Sequence, residues 1–166
     1  MYEFYVGTTP KDPPGNIVKV CLDSDGQLVD KSYYEAVSPA YLCRKGSCIY
    51  AVIENADFGG VQVFDVNKNG SLTAKARLDT EDVYSTYISA EKRGNRIFVA
   101  NYGTPSCAVY RYEAEKLVQE SVLREKKTKK SHIHCAALTP EEAYVCLVDV
   151  GTDEILVYAA DSLELV

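Results

Sequence analysis

An all-β fold, a β-propeller of four-stranded antiparallel blades, is predicted by two repeated apolar phrases and by the interval at which they recur. The first phrase occupies residues 4–7, 49–52, 97–100 and 144–147, and the second follows at residues 17–20, 61–64, 107–110 and 155–158. Successive copies lie 44 to 48 residues apart, which is the period of a propeller blade. The 13 tyrosines and the many valines and isoleucines, in short runs between Gly, Asn, Asp and Pro, favour strands throughout.

The repeat divides the single domain into four blades, at residues 2–35, 36–80, 81–125 and 126–166. Blade two is the clearest, with strands predicted over residues 40–43, 48–53, 61–66 and 72–77. Blade one begins with the sequence of a second strand and therefore lacks a first strand. Residues 112–127 are rich in Glu, Lys, Leu and Ala, but the repeat register makes them a strand followed by a charged loop.

The sequence contains about 3.75 predicted blades, because blade one lacks a first strand and residues 163–166 fall in the fourth strand of blade four. A propeller that does not close exposes the hydrogen-bonding edges of its terminal strands. We therefore expect these edges to be covered, either by a second copy of the chain in a homodimer or by a missing C-terminal half.

Composition argues against several classes of protein. The net charge of −6 opposes nonspecific binding to nucleic acid, which needs an excess of Lys and Arg. No apolar run reaches the roughly 18 residues that span a bilayer, and the N-terminus does not resemble a secretory signal. We expect a cytoplasmic protein that binds neither nucleic acid nor membrane. The basic cluster, which is most typical of a solvated loop, comprises Arg124, Lys126, Lys127, Lys129 and Lys130.

Neither a metal site nor a disulfide is predicted. The six cysteines show no Cys-x-x-Cys spacing and no Cys/His pairs at zinc-site distances, and most lie in apolar strand phrases as small buried hydrophobes. Residues 23–26 and 67–70 resemble the start of a calcium loop, but the glycine comes too early and no Glu follows at the required distance. Hairpin turns explain both segments better.

One face of the predicted propeller collects the chemically interesting residues. The loops from second to third strands and the links between blades lie on this face, because neighbouring strands are antiparallel. Glu54, Asn101 and Asp149 stand at the ends of three second strands. His132 and His134, the only two histidines, lie on the link into blade four, and their spacing on an extended strand directs both side chains to one side.

These residue types can support acid–base chemistry. A histidine can relay protons near neutral pH, Glu54 or Asp149 could orient it, and Asn101 could donate to an oxyanion. Structural interpretations stay open beside these. A His-x-His pair can form structural hydrogen bonds or part of a metal site, and Asn101 and Asp149 can cap strand ends.

Five segments carry a resemblance to a known family: residues 49–55 (IYAVIEN), 59–61 (GGV), 98–102 (FVANY), 131–134 (SHIH) and 147–153 (LVDVGTD). Over nearly its whole length, the chain resembles the N-terminal half of the lactonase-type seven-bladed propellers. These include the cytosolic bacterial 6-phosphogluconolactonases and the fungal carboxymuconate cyclases. The family's His-Pro-His segment corresponds to His132 and His134, with Ile133 at the proline, and its Asn-Tyr segment corresponds to Asn101 and Tyr102.

The resemblance implies hydrolysis of 6-phospho-D-glucono-1,5-lactone to 6-phosphogluconate in the pentose phosphate pathway, without a cofactor. His132 or His134 would be the general base, and Asn101 with backbone amides would stabilise the oxyanion. Cationic groups such as Lys130 would bind the phosphate. The remaining substrate contacts are expected from Glu54, Tyr102 and Asp149. The family's site also draws an arginine and a glutamate from later blades, which this chain does not contain.

Three alternatives stay open at the level of sequence. The same fold could catalyse the reverse type of reaction, lactone formation from a carboxymuconate. It could be a non-catalytic propeller scaffold that binds a protein or a small ligand. The half-chain could also have no function without the later blades.

Overall fold

The structure is a computed structural model that describes residues 1–9, 15–124 and 130–166. All the elements assigned in these residues are β-strands, which confirms the predicted fold class. They are β1 (Tyr2–Gly7), β2 (Gly15–Leu22), β3 (Leu28–Ala36), β4 (Leu42–Lys45), β5 (Cys48–Val52), β6 (Gly59–Val66), β7 (Leu72–Thr80), β8 (Ser85–Ala90), β9 (Arg96–Asn101), β10 (Ser106–Glu113), β11 (Lys116–Leu123), β12 (Ile133–Leu138), β13 (Tyr144–Asp149) and β14 (Glu154–Ala159).

The strands form four antiparallel sheets, one for each predicted blade. The first sheet has the order β1-β2-β3, the second β4-β5-β6-β7, the third β8-β9-β10-β11 and the fourth β12-β13-β14. Among the described residues, the first sheet has three strands, with β1 at one edge. The fourth strand predicted at residues 163–166 begins with a bridge between Tyr158 and Leu165, after a turn in which Leu163 is left-handed (φ 61°).

Three apolar layers lie between successive sheets. Their fully buried side chains include Ile17 and Ile49 between blades one and two, Val63 and Val99 between blades two and three, and Phe98 and Leu147 between blades three and four. Phe98 and Val99 are adjacent on β9, so they face opposite layers. Strands of the two middle sheets are therefore buried on both faces, which explains their near-continuous apolar phrases.

The first strands β4, β8 and β12 form the inner wall of the stack. Across this wall, Ser89 Oγ donates to the carbonyl of Ala136 at 2.6 Å and Thr86 Oγ1 to the carbonyl of His134 at 3.3 Å. The rings of Tyr41 and Tyr87 pack with centroids 4.3 Å apart. These contacts fix the position of β12, which carries both histidines at or just before its start.

The turns at residues 23–26 and 67–70 are hairpin turns, as predicted. Gly26 and Gly70 take left-handed conformations (φ 78° and 75°) that favour glycine. The turn at residues 67–70 also joins blade two to blade one, because the half-buried Tyr5 donates to the Gly70 carbonyl and the buried Lys19 to the Asn69 carbonyl. No group of metal-ligating side chains occurs among the described residues.

On the same turn-bearing face, Arg96 joins blade three to blade four. Its guanidinium donates to the carbonyls of Ala160 and Asp161 and forms a 2.6 Å ion pair with Glu120, which also binds Arg111. Hydrogen bonds from Arg96 and Arg111 lower the pKa of Glu120 to about 2. On this face, the ion pairs therefore hold Arg96 in blade three, and its contacts with the two carbonyls join it to blade four.

Residues 112–123 contain the predicted strand, β11, while the charged loop that follows lies mostly outside the described residues. Lys126, Lys127 and Lys129 of the basic cluster belong to that part of the chain. All six cysteines are described and free. In the described ranges, no helix is long and apolar enough to cross a membrane.

Candidate functional site

The candidate site is the face of the stack where second strands end and where the links between blades run; we call this face the mouth. The repeat places equivalent residues there in blades two, three and four. In each of these blades, the carbonyl of a link residue accepts a hydrogen bond from the amide of a residue one or two positions beyond the second strand. The three pairs are Ser38 and Glu54 (3.1 Å), Tyr84 and Tyr102 (2.9 Å), and His132 and Val150 (3.0 Å).

Hydrogen bonds also run between blades at the mouth. The Tyr84 amide donates to the Asn55 carbonyl at 2.9 Å, which joins blade three to blade two. The Nδ1 atom of His132 lies 3.0 Å from the Tyr102 carbonyl oxygen, which joins blade four to blade three. The three mouth loops are thereby held in one continuous hydrogen-bonded arrangement.

The contact with Tyr102 determines the tautomer of His132. A carbonyl oxygen only accepts, so Nδ1 must carry the hydrogen, and in the neutral ring the free lone pair is then on Nε2. The imidazole also stacks on the Tyr102 ring, with centroids 4.2 Å apart and planes 9° from parallel. His132 is half-buried and held on two sides by one residue, which leaves Nε2 as its proton-accepting atom.

His134 contacts the same tyrosine from another direction. Its ring is edge-on to Tyr102, with centroids 6.1 Å apart and planes at 89°, and its side chain is exposed. The pairing of β12 with β13 shifts between Ile133 and Cys135, so His134 occupies a β-bulge. Bulges re-aim side chains next to functional sites, and here both imidazoles meet around one ring.

Asp149 supports the His132 backbone. Its carboxylate accepts hydrogen bonds from the His132 amide (2.8 Å), the Gly151 amide (2.9 Å) and the Ser131 hydroxyl. Burial alone would raise the pKa of Asp149, but these hydrogen bonds, with one from Thr152, lower it below its usual value. Asp149 binds the main chain of His132, whereas the imidazole contacts Tyr102. Asp149 therefore supports the link between the blades and does not orient the ring directly.

Asn101 is enclosed in the structure. It is 1% exposed, its Oδ1 accepts from the Ser85 hydroxyl at 2.7 Å, and its Nδ2 donates to the Ser106 hydroxyl at 3.0 Å. A side chain so enclosed has no open path to a bound substrate. Asn101 therefore braces the ends of three strands, and the oxyanion role expected from its residue type is not supported by its position.

Glu54 and Lys130 lie at the borders of the mouth. Glu54 is half-buried on blade two, and its amide donates to the Ser38 carbonyl. It lies two blades away from His132. Lys130 is exposed at the start of the link into blade four. Its carbonyl lies so close to Gly151 that an added Cβ would come within 1.4 Å of the oxygen. A glycine is thus required where the link passes the chain just beyond β13.

Tyr84 also lies at the mouth, and no sequence motif singles it out. Its backbone is left-handed (φ 53°) and its side chain is 41% exposed, and a Cβ on Gly103 would approach its ring to 2.9 Å. A left-handed conformation is uncommon for an aromatic residue and is often found at functional sites. The only sequence signal is positional, since Tyr84 is the counterpart of His132 in the preceding blade.

Comparison with known proteins gives one family and a consistent fold. The sequence model of the family described as "Lactonase, 7-bladed beta-propeller" matches residues 3–165. A 6-phosphogluconolactonase of Bacillus subtilis is 28% identical over 170 residues, which cover 95% of this chain and 49% of that protein. An uncharacterised protein of Staphylococcus epidermidis is 26% identical over 167 residues, covering 93% of this chain and 49% of that protein.

Solved structures show the same architecture. A Lactobacillus plantarum protein superposes with a TM-score of 0.82 at 22% identity, covering 98% of this chain and 50% of that chain. The periplasmic gluconolactonase PpgL of Pseudomonas aeruginosa superposes with a TM-score of 0.81 at 23% identity, covering 95% of this chain and 50% of that chain. The chain spans about half the length of the relatives and structures that it matches.

Proposed function

We propose, because this chain belongs to the family of seven-bladed β-propeller lactonases, that its mouth takes part in hydrolysis of a lactone with His132 as the general base. The observation that carries the proposal is the 3.0 Å contact between His132 Nδ1 and the Tyr102 carbonyl. It keeps the opposite ring nitrogen, Nε2, unprotonated in the neutral side chain and able to accept a proton.

In the proposed reaction, His132 Nε2 takes a proton from water as the water oxygen attacks the lactone carbonyl carbon. The resulting imidazolium stays hydrogen-bonded through Nδ1 to Tyr102. When the tetrahedral intermediate collapses, the bond from the former carbonyl carbon to the ring oxygen breaks, and the imidazolium returns its proton to that oxygen. The product is the open hydroxy acid, and the base is restored without a cofactor.

His134 is the proposed contact for the lactone carbonyl oxygen, a role first expected of Asn101. Its exposed ring stands at the edge of Tyr102, beside the proposed base, whereas the Asn101 amide is engaged by Ser85 and Ser106. A hydrogen bond that strengthens as charge develops on the oxygen accelerates acyl transfer.

The proposed substrate is 6-phospho-D-glucono-1,5-lactone, in the pentose phosphate pathway of the cytoplasm. The name of the Bacillus subtilis relative supports it, and so does Lys130, an exposed cation at the border of the mouth that could bind a phosphate. Glu54 stays a proposed contact for sugar hydroxyls from the opposite border.

The proposal is tested by the rate of hydrolysis of freshly prepared phosphogluconolactone above the spontaneous rate. The chain is assayed alone and co-produced with the C-terminal segment of the Bacillus subtilis relative, because the family's site includes residues of later blades. We expect hydrolysis in the second arm, and we expect Lys130→Ala to raise KM for the phosphorylated lactone but not for unphosphorylated gluconolactone.

Two results would contradict the proposal. A rate equal to the spontaneous one in both arms would remove the enzymatic function and favour a binding scaffold. Turnover of a carboxymuconate to its lactone, without hydrolysis of the sugar lactone, would replace hydrolysis by the cyclase reaction.

A further inference from the structure

We infer that Tyr84 is a substrate-binding residue of the mouth, whose exposed ring stacks on the carbon-bound hydrogens at one face of the sugar lactone ring. The inference rests on the proposed function, because it assigns a specificity-determining residue to the same site. Three observations carry it: the equivalence of Tyr84 with His132, the strained and firmly held backbone of Tyr84, and the exposure of its ring.

Tyr84 occupies in blade three the place that His132 occupies in blade four. The carbonyl of each residue accepts a hydrogen bond from the chain just beyond the second strand of its own blade, at 2.9 Å and 3.0 Å. Each ring also stands beside a glycine. A Cβ added to Gly103 would lie 2.9 Å from Tyr84 Cδ2, and one added to Gly151 would lie 3.2 Å from His132 Cδ2. The two rings therefore hold successive positions around the mouth, one blade apart.

Tyr102 connects these two positions. Its amide donates to the Tyr84 carbonyl at 2.9 Å, and its carbonyl oxygen lies 3.0 Å from His132 Nδ1. Its ring stacks on the His132 imidazole. A ligand that extends from the proposed base across Tyr102 toward blade two therefore meets the ring of Tyr84.

The backbone around Tyr84 is held from both neighbouring strands and from the preceding blade. The Tyr84 amide donates to the Asn55 carbonyl of blade two at 2.9 Å. The next residue, Ser85, is fully buried, and its hydroxyl donates to Asn101 Oδ1 at 2.7 Å. A ring on so fixed a backbone is positioned before a ligand arrives, so that binding costs little conformational freedom.

The conformation of Tyr84 is one that a different residue would adopt more easily. Its φ of 53° lies in the left-handed region, where Gly and Asn are favoured over an aromatic side chain. Gly103 makes room for the ring, because its own φ is not left-handed and only the close approach requires a glycine there. Strain of this kind clusters at ligand-binding positions, so both residues indicate that the ring is needed at the mouth.

The chemistry of an aromatic face defines what Tyr84 binds. The ring is 41% exposed, and the face of an aromatic ring is negative and attracts positively polarised hydrogens. The carbon-bound hydrogens on one face of a pyranose lactone are such groups, whereas a phosphate is not. The phosphate is therefore left to Lys130 at the link into blade four, and Tyr84 recognises the sugar ring whether or not it is phosphorylated.

The experiment measures binding of D-glucono-1,5-lactam, a stable ring analogue in which an amide replaces the ester. Titration calorimetry and saturation-transfer NMR are applied to the chain alone and to the chain co-produced with the C-terminal segment of the Bacillus subtilis relative. We expect Tyr84→Asn to raise Kd about 10-fold, and Tyr84→Phe, which keeps the ring, to stay within about 2-fold of wild type. The transfer to the hydrogens of one ring face is expected to disappear in Tyr84→Asn.

Two controls separate stacking from damage to the fold. The unfolding midpoint of Tyr84→Asn is expected to equal or exceed that of wild type, because Asn suits the left-handed backbone better than Tyr. Tyr144→Ala removes a tyrosine of similar exposure, 42%, from the start of β13 on the turn-bearing face. Its Kd for the lactam is expected to equal that of wild type.

The kinetic counterpart is a KM about 10-fold higher in Tyr84→Asn with kcat unchanged, because stacking stabilises the bound substrate and the transition state equally. This increase is expected for both phosphorylated and unphosphorylated gluconolactone. Unchanged Kd and KM in Tyr84→Asn, equal losses in Tyr84→Asn and Tyr84→Phe, or no lactam binding in either form of the chain would overturn the inference, even if hydrolysis continues. Tyr84-dependent binding of the lactam without hydrolysis would support it and contradict only the proposed function.

Discussion

Replacing His132 by alanine is expected to slow lactone hydrolysis by about 10²–10⁴-fold, the usual contribution of a general base. The loss is expected in kcat, because the base acts on water in the transition state rather than on substrate binding. Added imidazole is expected to restore part of the rate, since the substitution leaves a space beside Tyr102. The measurement is steady-state hydrolysis by the chain co-produced with the C-terminal segment of the Bacillus subtilis relative.

His134→Ala is the matched control, because it removes the other imidazole that contacts Tyr102. A donor to the developing oxyanion contributes about 10²–10³-fold in kcat, so a loss in that range is expected. Imidazole should not rescue it. If imidazole rescues His134→Ala but not His132→Ala, or if His132→Ala keeps the full rate, the assignment of the base to His132 is wrong.

Asp149→Ala is expected to cost about 2–4 kcal/mol of the free energy of unfolding, because it leaves buried donors without an acceptor. The donors are the His132 and Gly151 amides and the Ser131 hydroxyl. Asp149→Asn keeps one oxygen and is expected to cost about 1 kcal/mol. The neighbouring blade offers a precedent, since the equivalent position there is Asn101. Chemical unfolding of the isolated chain measures both variants.

The same carboxylate gives an expected pH dependence. Its pKa is lower in the folded protein than its usual value of 3.8, so the folded state favours the ionised form. This stabilisation is fully present above pH ~4 and is lost as the pH falls through the folded pKa. Asp149→Asn should therefore lose less stability than wild type on acidification.

Asp30→Asn is the control for acidification, because Asp30 is exposed on β3. Its stability is expected to follow that of wild type at every pH. Equal acid sensitivity of the wild type and Asp149→Asn would contradict the role of Asp149 as a buried ionised acceptor.

Most of the fold can be predicted from the sequence. Strands that are buried on both faces consist of consecutive apolar residues, and these runs make the repeat visible. Phe98 and Val99 illustrate this, since each is buried in a different layer. Strand limits follow less well. The sequence predicts the first strand of blade two over residues 40–43, whereas the strand is Leu42–Lys45. Ser38 is left-handed (φ 38°) and its carbonyl accepts a hydrogen bond from the Ala40 amide, which keeps residues 38–40 in the link.

The candidate site is only partly predictable because its main contacts use the backbone. The two histidines are found by residue type, but the group that determines the tautomer of His132 is the Tyr102 carbonyl, which any residue would offer. Asn101 was expected to donate to an oxyanion, and its enclosure depends on Ser85 and Ser106 from neighbouring strands. Such partners become visible only when the register is known.

The proposed role of His132 as the base depends on the position of one hydrogen, which His132 Nδ1 donates to the Tyr102 carbonyl. Nitrogen-15 NMR of the histidine rings, at a pH where both are neutral, measures its position directly, with the exposed His134 ring as the internal reference. We expect His132 to show a protonated Nδ1 and an unprotonated Nε2, while His134 shows the ordinary mixture of tautomers. A protonated Nε2 on neutral His132 would contradict both the geometry of the mouth and the base proposed there.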